Sequence, residues 1–426
     1  MSNAIPQGWR LQAIDEFART SAGGTPSTQV PAYWENGIIP WMSSGEVHKK
    51  RVKNVAQKIT KLGFQNSSAK LFPKGTILIA LAGQGKTRGT VAISEIELTT
   101  NQSIAGVIVK DKTVSPDYVY QNLDSRYEEL RAASGGSGRA GLNLTIIGEQ
   151  QLTLPPLPEQ KKIAAILTSV DEVIEKTRAQ IDKLKDLKTG MMQELLTKGI
   201  GQGGVPHTEF KDSPVGRIPS SWEVLPLEEL CIKIGVGIAS STTHAYASEG
   251  VPLLRNQNIL PDAIRHTDML LISKNFSEEN AAKKIRSGDV ITVRTGYPGV
   301  SAVVPDEYDG CHSFTTLISR PKKTKLNPHF LSMLINSDYG KSFVLGGQAG
   351  GAQQNLNVSV LKTLPVILPP LSEQKEIFTA MNGATLKINL INKKLAMLID
   401  AKKALMQDLL TGKVRVQVDI RELADA

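Results

Sequence analysis

The sequence predicts an α+β protein made of two pseudo-repeated β-rich domains, each followed by a long α-helix, with the two helices pairing as a coiled-coil spacer. Three observations predict it. A decapeptide occurs twice, as "LPPLPEQKKI" at 154–163 and "LPPLSEQKEI" at 368–377. Each copy opens a stretch whose apolar residues recur at alternating steps of three and four, the pattern of a coiled-coil seam. In front of each copy lie short β-branched runs separated by glycine, the pattern of strands and turns.

The repeat covers the whole chain. Gln160 and Gln374 lie 214 residues apart, as do Gln193 and Gln407, so each helical stretch keeps one register without a gap. "GLNLTI" at 141–146 matches "NLNVSV" at 355–360 in the same register. Upstream, "IPQGWRL" at 5–11 matches "IPSSWEV" at 218–224, and "SPDYVYQNLDS" at 115–125 matches "NPHFLSMLINS" at 327–337. A period this long marks a duplicated domain, because solenoid repeats run roughly 20–50 residues. The boundaries that follow are a first domain at 1–157, a helix at 158–200, a linker at 201–217, a second domain at 218–371, a helix at 372–414 and a tail at 415–426.

In each front domain, "GTILIAL", "GTVAI", "AGVIVK", "DVITVRT" and "TTLISR" read as strands. "PDYVYQNLDSRYEELRAAS" and "PHFLSMLINSDYGKSFVL" read as one helix each, starting at a proline, and glycine-rich loops follow at 134–141 and 346–351. The long helices carry the predicted seam Ile174, Ile181, Leu184 and Lys188 against Ile388, Leu395, Leu398 and Lys402. Residues Glu159 to Leu196 span about 57 Å at ~1.5 Å per residue. The Gly- and Pro-rich stretch at 201–217 lacks periodicity and reads as an exposed linker.

Composition bounds the function classes. With 426 residues the chain is too long for one core. Its 40% hydrophobic and 21% charged residues describe an ordinary globular protein. No apolar run reaches the length of a membrane span and no signal-peptide pattern is visible, so the expectation is a cytoplasmic protein without a membrane partner. Cys231 and Cys311 supply no disulfide framework.

The net charge of +9 is unevenly spread. No acid stands between Glu46 and Glu95, while Lys49, Lys50, Arg51, Lys53, Lys58, Lys61, Lys70, Lys74, Lys86 and Arg88 all do. With no local carboxylate to neutralise it, this stretch is expected to meet phosphates.

No catalytic constellation is evident. "ALAGQGKT" at 80–87 departs from the phosphate-loop pattern at Ala80, and a strand rather than a helix should follow it. The only Pro-Pro pairs lie in "LPPL", so no methyltransferase-type Pro-Pro-aromatic motif is present. The six histidines show no metal-ligand spacing. The chain is expected to be a binding protein and not an enzyme, with no metal and no cofactor of its own.

Two variable β-rich domains, each ending in "PPLxEQ" and a long helix that closes on "LLT", resemble the specificity subunit of type I restriction–modification enzymes. The resemblance implies two target-recognition domains, each reading half of a bipartite, asymmetric site in double-stranded DNA, with the helices forming an antiparallel spacer between them. It also implies two modification (methyltransferase) subunits as partners, and restriction subunits that join some complexes. S-adenosylmethionine, ATP and magnesium would then be bound by those partners.

Base readers must be polar and lie on loops. In the first domain the candidates are Ser43, Ser44 and Glu46, with Lys49, Lys50 and Arg51 beside them, then Gln84, Lys86 and Arg88, then Asn101 and Gln102. In the second they are Arg255, Asn256, Gln257 and Asn258, then Arg294, Thr295 and Tyr297, then His312 and Ser313. Arg and Lys suit guanine, and Asn and Gln suit adenine. One departure concerns charge, since residues 200–372 are nearly neutral. The alternatives are a self-contained DNA methyltransferase or nuclease, and a coiled-coil scaffold that reads no DNA.

Overall fold

The computed structural model describes residues 5–83, 85, 87–133, 142–201, 203–346 and 355–418. The chain divides into two units, Met1–Ala179 with Asn392–Ala426, and Gln180–Ile391.

The first unit contains a five-stranded sheet in the order Ala18–Ala22, Ile104–Val109, Ile77–Ala80, Val91–Ser94, Arg51–Val52. A three-stranded sheet lies beside it in the order Gln57–Ile59, Ile39–Met42, Thr99–Thr100. Helix α1 (Pro116–Ser125) starts where the sequence predicts: Pro116 takes the first turn, and the Ser115 hydroxyl accepts the Tyr118 amide. A strand at Arg10–Ala13 pairs antiparallel with Gln151–Leu154, so the front and back of the domain close on each other. Helix α2 (Leu157–Thr197) follows directly.

The second unit repeats the plan. Its four-stranded sheet runs Cys231–Val236, Thr316–Pro321, Val290–Val293, Ser301–Val303, and its three-stranded sheet runs Leu270–Ile272, Tyr246–Leu254, His312–Ser313. Helix α3 (Pro328–Asn336) is capped by the Asn327 side chain, which accepts the amides of His329 and Phe330. Glu223–Pro226 pairs with Pro365–Leu368 as the closing ribbon, and helix α4 (Leu371–Leu410) follows.

Two local expectations change. Each predicted single helix is broken in two, at Arg126 and at Ser337. Ser337 turns to an extended conformation, donates to Leu334 O and accepts the Gly340 amide, so its hydroxyl ends one helix and starts the next. The stretch expected to be an irregular linker contains a two-stranded ribbon, Phe210–Ser213 with Gly216–Pro219. Ile218 is buried there, and Ile200 and Val215 pack on the same core, so this segment is part of the second unit.

Each unit holds the start of one long helix and the end of the other. In the first, Ile163, Ala164 and Leu167 of α2 share a core with Leu405, Leu409 and Leu410 of α4. In the second, Met191, Leu195 and Leu196 of α2 share a core with Ile377 and Met381 of α4. The two helices therefore run in opposite directions. On the predicted seam, Ile174, Ile181 and Ile388 are buried, and Leu184, Lys188, Leu395, Leu398 and Lys402 are half-buried. Among the described residues, no helix is long and apolar enough to cross a membrane.

The repeated decapeptide acts as a clasp. In the first unit, the buried Glu159 accepts the Trp9 indole N–H at 3.2 Å and pairs with the Arg415 guanidinium at 2.7 and 2.8 Å. In the second, Glu373 accepts the Trp222 indole N–H at 2.9 Å, together with the Ile200 and Gly201 amides and the His207 ring, each at 2.9 Å. The neighbouring glutamine ties down the loop before α1 or α3. Gln160 accepts the Ser115 amide and donates to Thr113 O and Pro155 O. Gln374 accepts the Asn327 amide and donates to Lys325 O and Pro369 O. The tail after a long helix completes each clasp, and Gly199 and Gly412 turn there at φ +69° and +72°. A side chain at Gly199 would collide with Glu373 and Trp222, and one at Gly412 with Pro6.

Candidate nucleic-acid interface

The reading candidates gather because of one recurrent pairing. In the first unit, Ile39–Met42 runs parallel to Thr99–Thr100, with Met42 opposite Thr100. Ser43–Glu46 and Asn101–Gln102 leave the same edge together, linked by the Asn101 amide to Met42 O at 3.0 Å. In the second unit Leu254 stands opposite Ser313, so Arg255–Asn258 and His312–Ser313 are neighbours in the same way.

Side-chain contacts then sort the candidates. Asn101 Oδ1 accepts the Ser103 amide and Gln102 Oε1 accepts the Thr25 hydroxyl, so the side-chain oxygens are engaged and the N–H groups are left to donate. Ser43 and Ser44 are half-buried at the start of a short 3₁₀ turn. Glu46 is drawn into the loop, accepting Lys49 Nζ at 2.7 Å and the Ala56 amide at 3.1 Å. In the second unit Asn256 Nδ2 donates to both Thr295 O and Thr295 Oγ1, and the Tyr297 hydroxyl donates to Asn256 O at 2.6 Å. Asn256 thereby ties its own loop to the predicted segment at 294–297. Tyr297 keeps 46% of its surface exposed, enough to offer a ring face. Gln257 is exposed.

Some candidates turn inward. His312 and Ser313 are buried: the His312 ring bonds the Ser277 hydroxyl, and Ser313 accepts the Thr316 hydroxyl. Burial also holds the His312 pKa below the ordinary imidazole value. Asn258 is buried as well, its side chain tied to Arg255 N, Arg265 O and Thr267 O. These three brace the loops rather than face outward.

The basic stretch also divides. Lys50 pairs with Asp124, and Arg51 pairs with Asp117 and Glu95 while donating to Thr168. The guanidinium pKa of Arg51 is raised: burial opposes it, but Asp117 and Glu95 outweigh burial. The carboxylates missing from the local sequence thus arrive from other elements. Lys58, Lys61 and Lys74 are exposed and form no ion pair among the described residues, leaving them as the free part of the stretch.

The turn after Ile77–Ala80 is a hairpin connection, because Val91–Ser94 pairs back antiparallel onto that strand. No helix follows it, as the sequence argued against a phosphate loop. Gln84 and Lys86 lie outside the described residues, and Arg88 is half-buried on this turn.

Ten buried side-chain N or O atoms have no partner among the described residues. Six belong to the predicted candidates: Arg51, Arg88, Arg255, Asn256, Arg294 and His312. Native proteins rarely leave such groups unpaired; those of Arg51 and His312 lie in side chains already held inward by other contacts. The described residues contain no group of three or more His, Cys, Asp or Glu placed to hold a metal.

Comparison with known proteins fits this duplicated arrangement. A family model described as the type I restriction modification DNA specificity domain matches residues 6–186 and 219–398. The type I restriction enzyme MjaVIII specificity subunit of Methanocaldococcus jannaschii is 26% identical over 422 residues, covering 97% of this chain and 94% of that protein. The MjaIX specificity subunit of the same organism is 25% identical over 429 residues, covering 97% and 95%. In fold, the chain resembles the S subunit of a type I restriction–modification system from M. genitalium, with a TM-score of 0.58, 14% identity and coverage of 96% and 97%.

Proposed function

This chain belongs to the type I restriction–modification DNA specificity family, and from that premise we propose how its parts divide the work. It is the DNA-recognition subunit, and each unit reads one half of a bipartite, asymmetric duplex site. The observation that carries this reading is internal. The family domain occurs twice, and in both units the same parallel strand pair delivers polar loops to one edge.

Chemistry belongs to partners. The chain positions methyltransferase subunits, and in restricting complexes restriction subunits, while S-adenosylmethionine, ATP and magnesium bind to those subunits. The antiparallel helices set the gap between half-sites. Half-sites one turn of DNA apart are roughly 34–36 Å from each other, and a helix of 40 or 41 residues extends about 60 Å.

Readers of the second half-site are Arg255, Asn256, Gln257, Arg294, Thr295 and Tyr297. Those of the first are Ser43, Ser44, Asn101, Gln102 and the turn bearing Gln84, Lys86 and Arg88. Mapping methylated adenines in DNA from cells that express this chain with its modification subunit tests the reading. The expected map is one two-part motif with a fixed gap. Methyl transfer by the purified chain alone would instead reveal a self-contained enzyme, and weak, sequence-independent binding by the assembled complex would reveal a scaffold.

A further inference from the structure

The duplication supplies an internal control, because a position satisfied in one unit can be compared with its counterpart in the other. In the first unit, Lys402 of α4 is half-buried and fully paired, 2.7 Å from Asp171 and 3.4 Å from Asp124. Its counterpart in the second unit is Lys188 of α2. There the two carboxylate positions hold neutral residues, Thr385 for Asp171 and Asn336 for Asp124. The Thr385 hydroxyl is spent on Met381 O, and Asn336 is spent on Ser301 and Asp262. Lys188 is half-buried and forms no ion pair among the described residues. Lys188 thus keeps an ammonium group able to pair with an arriving carboxylate.

Lys188 also lines a cleft of about 490 Å³ that lies wholly within the second unit. Met192, Leu196, Ile367 and Met381 are among its apolar lining, and Lys185 and Lys341 line it as well. Two acids border it. Asp262 accepts the Ser332 hydroxyl and Asn336 Nδ2, and Asp338 sits in the first turn of the helix Asp338–Gly346. Lys185 already pairs with Asp182 at 3.9 Å, so Lys188 and Lys341 are the lining lysines without an ion pair among the described residues.

We propose that this cleft is a docking site for a partner polypeptide that presents a carboxylate beside an apolar side chain. The carboxylate pairs with Lys188, taking the role that Asp171 plays inside the first unit, and the apolar side chain rests on the methionine and leucine lining. The two units thus differ in kind: one completes this position from its own chain, and the other completes it from a partner. The proposal rests on the reading that the chain assembles with other subunits.

Zero-length carbodiimide cross-linking of the assembled complex tests it, since the reagent joins a lysine amine to a touching carboxylate and takes up the water lost. Lys198 and Glu194, exposed and 2.8 Å apart, are the control that the reagent acts. The expected product links Lys188 to an Asp or Glu of a partner subunit. Thr385→Asp, which restores the carboxylate found in the first unit, should lower that product about tenfold by capturing Lys188 within the chain. A control link without any interchain Lys188 link overturns the proposal. So does protection of Lys188 from acetylation by duplex DNA alone, which would make its partner a phosphate. Failure of the chain to assemble at all would count against the functional reading itself.

Discussion

Among the proposed readers, Asn256 gives the sharpest prediction for a single residue. Its Nδ2 donates to the backbone oxygen and the hydroxyl of Thr295, and because the backbone oxygen can only accept, the amide orientation is fixed. Its Oδ1 is buried and has no partner among the described residues, so a base reaches it only if the loop shifts on binding. An acceptor there suits the exocyclic amino group of adenine or cytosine, not the keto oxygens of guanine or thymine. Replacing Asn256 with Ala should relax one base pair of the second half-site by about 1–3 kcal/mol and leave the first half-site unchanged, as measured by binding to a panel of single-substituted duplexes. The free lysines act differently. Changing Lys58, Lys61 and Lys74 together to Gln should weaken binding evenly across sequences. It should also reduce the slope of log K against log salt by roughly 0.9 for each phosphate that is no longer neutralised.

At the scale of elements, the clasp gives the most direct stability prediction. Glu373 is held below the ordinary carboxylate range. Burial opposes this, but donors from Gly201, His207, Trp222 and Ile200 outweigh burial. A depressed carboxylate contributes stability that is complete above its unfolded pKa and disappears as pH falls through the folded one. Glu373→Gln should therefore cost about 3 kcal/mol near neutral pH and flatten the loss of stability on acidification, read by denaturant melts across acid pH. Gln374→Ala should cost about 2 kcal/mol by stranding the Asn327 amide and two carbonyls.

The same elements show how much is legible in the sequence. The decapeptide, the strand runs and the helix seam are patterns along the chain, and periodicity reports them directly. The clasp partners are not, because Trp9 meets Glu159 across 150 residues and Arg415 meets it across 256. For the same reason the stretch free of acids reads as unneutralised, although Asp117 and Asp124 fold back onto Arg51 and Lys50. His312 and Asn258 read as outward-facing loop residues because a loop's inner and outer faces have no sequence period. The ribbon at Phe210–Pro219 is hidden by a turn-rich composition that resembles a linker, while Ile218 supplies the burial that fixes it.

At the scale of the whole molecule, the chain holds two specificity domains, each followed by one of two antiparallel helices. The family match, the duplicated sheets and the duplicated clasps all follow from one ancestral unit used twice. If each unit reads independently, specificity should be modular. The most direct measurement exchanges residues 1–150 for those of a relative with a different methylation pattern, then maps methylated adenines produced by the hybrid with its modification subunit. Two independent readers predict a motif with one half altered, the other half retained and the gap preserved. A motif changed in both halves, or in neither, would contradict them.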